Sequence, residues 1–168
     1  MQNEQSGPIQ SKRIETRDNV KAISYRLTGK DYTTMDYDRA WMALTEYVQK
    51  QHLLDKCGPE AEYFNMYLDD PTMGGELRCD VCIADPLVNG LESADGVDVI
   101  DVKGGRFLVY LLKGSYENSL TVFYRNMFQL VTAEHVTVRK EPMFEKYLND
   151  PSGTAPEELL TEVWIPIQ

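Results

Sequence analysis

Apolar and polar positions alternate with a period of two between residues 63 and 68. Phe64, Met66 and Leu68 fall on one side, and Tyr63, Asn65 and Tyr67 on the other, the pattern of a strand. It returns 80 positions later (147 − 67), where Met143, Glu145 and Tyr147 share one face and Phe144, Lys146 and Leu148 the other. The strictly apolar face, Phe64, Met66 and Leu68, suits packing under a helix. The tyrosine-bearing face reads as the wall of a groove, and there Asn65 of the first copy is matched by Glu145 of the second.

The flanking elements recur in the same order. Residues 12–17 and 20–27 read as strands around a turn at Asp18-Asn19, with Ile23, Tyr25 and Leu27 on one face. Thr33 or Thr34 caps a helix bearing Tyr37, Ala40, Trp41, Leu44 and Val48 at spacings of three and four, running to about His52. Gly58-Pro59 breaks the chain, Asp70-Pro71 to Gly74-Gly75 turns it, and Leu77 to Ile83 closes the unit. In the second half Val97 to Lys103 and Arg106 to Leu112 flank Gly104-Gly105, a hairpin-forming dipeptide. Asn118 or Ser119 caps a helix carrying Leu120, Phe123, Tyr124, Met127, Leu130 and Val131. Thr154-Ala155-Pro156-Glu157 has the form of a capping box, and Thr161 to Ile167 ends the unit.

Each half therefore reads strand, strand, helix, strand, strand, and duplication is the economical explanation. The expected fold is α+β: two tandem pseudo-twofold strand-helix-strand-strand repeats forming one curved antiparallel sheet, with helices on one side and a central cleft. The expected organisation is a disordered leader over residues 1–10 and one domain over 11–168. Within that domain, repeat one covers 11–85, a linker 86–96 and repeat two 97–168.

Composition narrows the function. A formal net charge of −10 over 168 residues argues against direct nucleic-acid binding, whose affinity rests on Lys and Arg contacts to phosphates. No apolar run is long enough to span a membrane, and the start lacks a signal peptide, so a cytoplasmic protein is expected. Cys57, Cys79 and Cys82 are odd in number, in keeping with a reducing compartment. The Cys79-x-x-Cys82 spacing lies on a strand, where positions three apart face opposite ways, so packed free thiols are expected. His52 and His135 are equivalent, 83 apart (135 − 52), and each sits near a helix end, a structural position. No metal cluster, P-loop or G-x-S-x-G elbow can be assembled, and no cofactor is expected. Asp69-Asp70 and Asn149-Asp150 read as turn formers.

The candidate site is Glu145 among aromatic rings. Desolvation there raises its pKa unless a cation or donors compensate, making it an acid/base group or a docking point for a cation. Tyr147 and Tyr67 share its wall with Asn65. Trp164 is read as facing the cleft with Glu162, and Tyr110 and Tyr25, matched at an offset of 85 (110 − 25), as lining it; Trp41 is assigned to the helix core.

Gly104-Gly105-Arg106, the Gly114 to Tyr116 turn, Phe144 to Pro151 and the Pro156 to Pro166 ending together resemble the GyrI-like small-molecule-binding domain over residues 11–168. That domain is the effector-binding part of AraC-type and multidrug-sensing regulators and the fold of DNA gyrase inhibitory proteins. The resemblance implies a pocket in which the glutamate matching Glu145 meets a cationic aromatic ligand, in a stand-alone effector-binding or drug-sequestering protein. Two alternatives follow from the same resemblance: a hydrolase of cyclopropane-bearing genotoxins with Glu145 as its catalytic group, or a gyrase-inhibitor-like partner of a topoisomerase or regulator. Where the family often has Gly-Pro-Tyr, this chain has Gly29-Lys30-Asp31-Tyr32 and Gly114-Ser115-Tyr116, and no helix-turn-helix is read in the chain.

Overall fold

The computed structural model describes residues 7–53 and 58–168. Cys57 and residues 1–6 of the expected leader lie outside them. Ten main elements follow in order: β1 (Ile9–Arg17), β2 (Val20–Gly29), α1 (Tyr37–Lys50), β3 (Glu62–Tyr67), β4 (Leu77–Ala84), β5 (Val97–Val102), β6 (Gly105–Lys113), α2 (Tyr116–Ala133), β7 (Met143–Tyr147) and β8 (Leu160–Ile167). Residues 9 and 10 thus belong to a strand rather than to a leader.

All eight strands form one antiparallel sheet in the order β1-β6-β8-β7-β3-β4-β2-β5. The two halves meet at β3 and β7, where Asn65 lies directly opposite Glu145. These are also the residues matched by the repeat, so the pseudo-twofold axis passes through this pair. The first strand of each half is exchanged: β1 pairs with β6 and β5 with β2. The turns at Asp18-Asn19 and Gly104-Gly105 are therefore not hairpin turns, contrary to expectation. They are the crossing points of one bent two-stranded ribbon whose register runs on from Arg17 opposite Gly105 to Val20 opposite Val102. Gly104 is required by this crossing, because a Cβ there would lie 2.2 Å from the Arg17 carbonyl oxygen. Its N–H donates to Asn19 Oδ1 at 2.7 Å.

Two residues can join β1 to β2, on opposite flanks of the sheet, only if the sheet curls back on itself. The inner face so made is filled by Phe64, Met66, Phe107, Phe144 and Trp164 with Ala22, Cys82 and Val102. Phe144 stacks on Trp164 with ring centroids 5.3 Å apart. Phe64 and Met66, with Leu68 packed against them, accordingly lie among strands, which corrects the expectation that this apolar face packs under a helix. Both helices cover the other face. α1 buries Ala40, Leu44, Tyr47 and Val48 on Ile23, Leu27, Cys79 and Val81. α2 lies over Leu108, Tyr110, Val163 and Ile165, with Phe123 fully buried. Each helix sits over its own half, and β3 and β7 form the floor between them.

The caps differ from the sequence reading. Asp36, not Thr33 or Thr34, caps α1 by accepting from Arg39 N at 3.1 Å, and Ser115, not Asn118 or Ser119, caps α2. The turn at Pro156–Glu158 follows Ala155 and has no side-chain cap, so the capping box does not form. The two histidines match more closely than expected: both are left-handed residues just past a helix, His52 with φ 56 and His135 with φ 54.

Candidate functional site

Glu145 projects from the middle of β7 onto the helix-bearing face and is 3% exposed. Its position follows from strand alternation, since Met143 on the same face packs in the α2 cluster while Phe144 and Lys146 point to the inner face. Three tyrosine hydroxyls donate to its carboxyl group. Tyr67 of β3 reaches Oε1 at 2.7 Å, Tyr147 of β7 reaches the same oxygen at 2.8 Å, and Tyr124 of α2 reaches Oε2 at 2.5 Å. Asn65 Nδ2 donates to the Tyr147 hydroxyl at 2.8 Å, while its buried Oδ1 has no partner among the described residues.

A second layer of rings surrounds these. Tyr32 meets Tyr67 edge-on at 4.8 Å and Tyr116 meets Tyr147 at 5.3 Å. Tyr37, the first residue of α1, donates its hydroxyl to the Tyr32 carbonyl at 2.6 Å. Tyr32 and Tyr116 are equivalent in the two halves, and so are Tyr67 and Tyr147. The duplication thus supplies a symmetric aromatic cage and one asymmetric acid.

Burial drives the electrostatics. It pushes the Glu145 pKa above the ordinary value, against the opposing pull of the Tyr124, Tyr67 and Tyr147 hydroxyls. Burial also holds the phenols of Tyr67, Tyr124 and Tyr147 well above their usual range, and the proximity of Glu145 adds to this. Among the described residues no Lys, Arg or His forms an ion pair with Glu145. The site is a carboxyl group held by neutral donors and walled by electron-rich ring faces, a setting suited to a cation.

The structure brings Asn65, Tyr67, Glu145 and Tyr147 together and separates the other candidates from them. Trp164 is the main correction. Alternation places it with Glu162, to which its Nε1 donates at 3.2 Å, but on the inner face opposite Phe144, while Val163 stands opposite Glu145. The indole is 2% exposed and lies beneath the side chains of Arg13, Arg17 and Lys146. Tyr110 is buried against Phe123, 5.1 Å between centroids, and Tyr25 belongs to the α1 core. Helical spacing assigns Tyr124 and Tyr37 only to core positions. Their hydroxyls at otherwise apolar spacings were the available signal. Cys79 and Cys82 are free, buried and on opposite faces.

Residues 11–168 match the GyrI-like small molecule binding domain. The chain belongs to that family. Among curated relatives, the DNA gyrase inhibitor of Citrobacter koseri is 26% identical over 110 residues, covering 64% of this chain and 70% of that protein. Among solved structures, an EcmrR–DNA complex matches with a TM-score of 0.72 at 15% identity, over 94% of this chain and 57% of EcmrR. SAV2435 bound to tetraphenylphosphonium matches with a TM-score of 0.61 at 14% identity, over 95% and 94% of the two chains. This protein is thus a small-molecule-binding domain of the GyrI-like fold, and it spans little more than half of EcmrR. No helix among its described residues is long and apolar enough to cross a membrane.

Proposed function

We propose that this GyrI-like domain binds a small cationic aromatic or amphipathic molecule between α1 and α2, with the positive centre against Glu145 and the apolar body among Tyr32, Tyr37, Tyr67, Tyr116, Tyr124 and Tyr147. The observation that carries this is a buried carboxyl group with tyrosine donors on both oxygens and no counter-cation among the described residues. Tetraphenylphosphonium in the structurally similar SAV2435 supports the ligand class. Its role is that of an effector-binding or drug-sequestering domain. The test is titration with tetraphenylphosphonium by calorimetry. Micromolar-range binding that weakens in Glu145→Gln is the expected result, and equal affinity in the two proteins would reject the role of Glu145.

A second reading has a separate observation behind it, the 26% identity to a DNA gyrase inhibitor. A protein partner would be met on the acidic surface, and a supercoiling assay with purified gyrase separates it: inhibition that survives Glu145→Gln favours the partner reading. Hydrolysis of a strained electrophile ranks third. Three tyrosine hydroxyls already occupy three of the roughly four acceptor positions of the carboxylate, two on Oε1 and one on Oε2, which leaves a single lone pair for general-base work.

A further inference from the structure

When no cation is bound, the buried acid must be balanced by the groups around it. An ionised carboxylate enclosed by protein needs a paired cation or a full set of strong donors. The groups facing Glu145 can be named for every element around it. From β3 comes Tyr67, from β7 Tyr147, from β4 the Cys79 thiol, from α1 Tyr37, and from α2 Tyr116 and Tyr124. All are neutral acids, and burial holds each above its ordinary value. The charged residues beside Glu145 in the β7–β8 register are turned away: Lys146, next to it on β7, pairs with Glu62 at 2.8 Å, and Glu162, opposite Lys146 on β8, with Arg13 at 2.6 Å, both on the inner face. The cage therefore contains hydroxyl donors and a thiol but no positive charge among the described residues.

We propose that Glu145 is a neutral carboxylic acid in the ligand-free protein, and that a cation enters the site in exchange for its proton. This rests on the cation-binding reading above. The balance is simple. In the acid the carboxyl O–H on Oε2 donates to the Tyr124 hydroxyl oxygen 2.5 Å away; on exchange that O–H bond breaks, the proton leaves to solvent buffer, the Tyr124 hydroxyl turns to donate to Oε2, and the ligand's positive charge takes the proton's place, so the site stays neutral before and after. Both states satisfy the rule that buried charge is paired. The upward shift of the Glu145 pKa agrees with it. Two consequences follow. Affinity for a cation rises about tenfold per pH unit while the acid is protonated and levels off above its pKa. An uncharged analogue of the same shape shows no such rise.

Two measurements test this on the intact protein. Infrared difference spectra of ligand-free wild type against Glu145→Gln should show a protonated-carboxyl band that disappears when tetraphenylphosphonium is added. Calorimetry with the same cation, in two buffers of different ionisation enthalpy, should give close to one proton released per cation at pH values where the Glu145 carboxyl is protonated. The released fraction should fall as pH rises. Tyr124→Phe removes one donor to the carboxylate and should move that fall to higher pH, which keeps the idea testable if Glu145→Gln folds poorly. Cation binding with no proton released and no carboxyl band overturns the exchange but leaves the binding reading intact. A carboxyl band without any cation binding overturns both the exchange and the binding reading.

Discussion

Tyr124 makes the closest contact to Glu145, a 2.5 Å hydrogen bond from α2 to Oε2. Removing one hydroxyl from a hydrogen bond to a charged or ionisable buried partner costs about 1 to 3 kcal/mol, so Tyr124→Phe should lower stability within that range, measured by urea unfolding. The acid also sets a pH dependence. Glu145 has a folded pKa above its ordinary value of 4.5, so the folded state holds the proton more tightly than the unfolded chain. Its contribution is fully present below the unfolded value and is lost as pH rises through the folded one. Glu145→Gln abolishes that loss: the variant should gain stability relative to wild type as pH rises from about 4.5 toward neutrality. At this scale much of the candidate site's geometry is legible in the sequence. An acid inserted into a repeated tyrosine wall marked Glu145, Tyr67, Tyr147 and Asn65. Trp164 was misplaced because alternation says which residues share a face, not which face of one strand adjoins which face of the next. The roles of Tyr37 and Tyr124 were hidden because a tyrosine at a helical core spacing is read as apolar packing until the floor beneath it is known.

Elements record the duplication in detail. His52 and His135 end their helices in the left-handed conformation, which costs an L-residue about 1 kcal/mol and suits glycine. His52→Gly and His135→Gly should each be neutral to stabilising by up to about 1 kcal/mol, a gain of about 2 to 4 °C in Tm by calorimetry. The turns after β3 and β7 repeat as well. Asp70 Oδ1 accepts from Thr72 N and Asp150 Oδ1 from Ser152 N, each at 2.8 Å. Strand and helix existence followed from periodicity because each segment buries one face. Cap positions did not, since Asp31, Asp36, Ser115 and several threonines all offer capping oxygens and tertiary packing selects among them. Strand partners are equally hidden: two strands joined by two residues read as a hairpin, and only the strand order of the sheet shows that β1 and β5 have changed places.

That exchange holds the whole molecule together. The two halves are joined at β3·β7 and again through the crossed ribbon, where Gly104 passes against the Arg17–Asp18 backbone. Gly104→Ala should destabilise by about 3 kcal/mol or more, because the backbone atoms 2.2 and 2.5 Å from the new Cβ have no rotamer by which to yield; thermal unfolding measures it. The curled sheet also separates two aromatic faces. The inner one holds Trp164 beneath Arg13, Arg17 and Lys146, and the outer one presents Glu145 between the helices. A ligand site on the outer face should therefore ignore Trp164, and Trp164→Phe should lower stability while leaving ligand affinity unchanged. The most direct measurement is the affinity for tetraphenylphosphonium of wild type, Glu145→Gln and Trp164→Phe, by calorimetry at neutral pH. Loss of a buried charged contact predicts binding weaker by about 1 to 3 kcal/mol for Glu145→Gln and unaltered for Trp164→Phe. Equal affinity in wild type and Glu145→Gln, or a loss confined to Trp164→Phe, would contradict the placement of the site at Glu145.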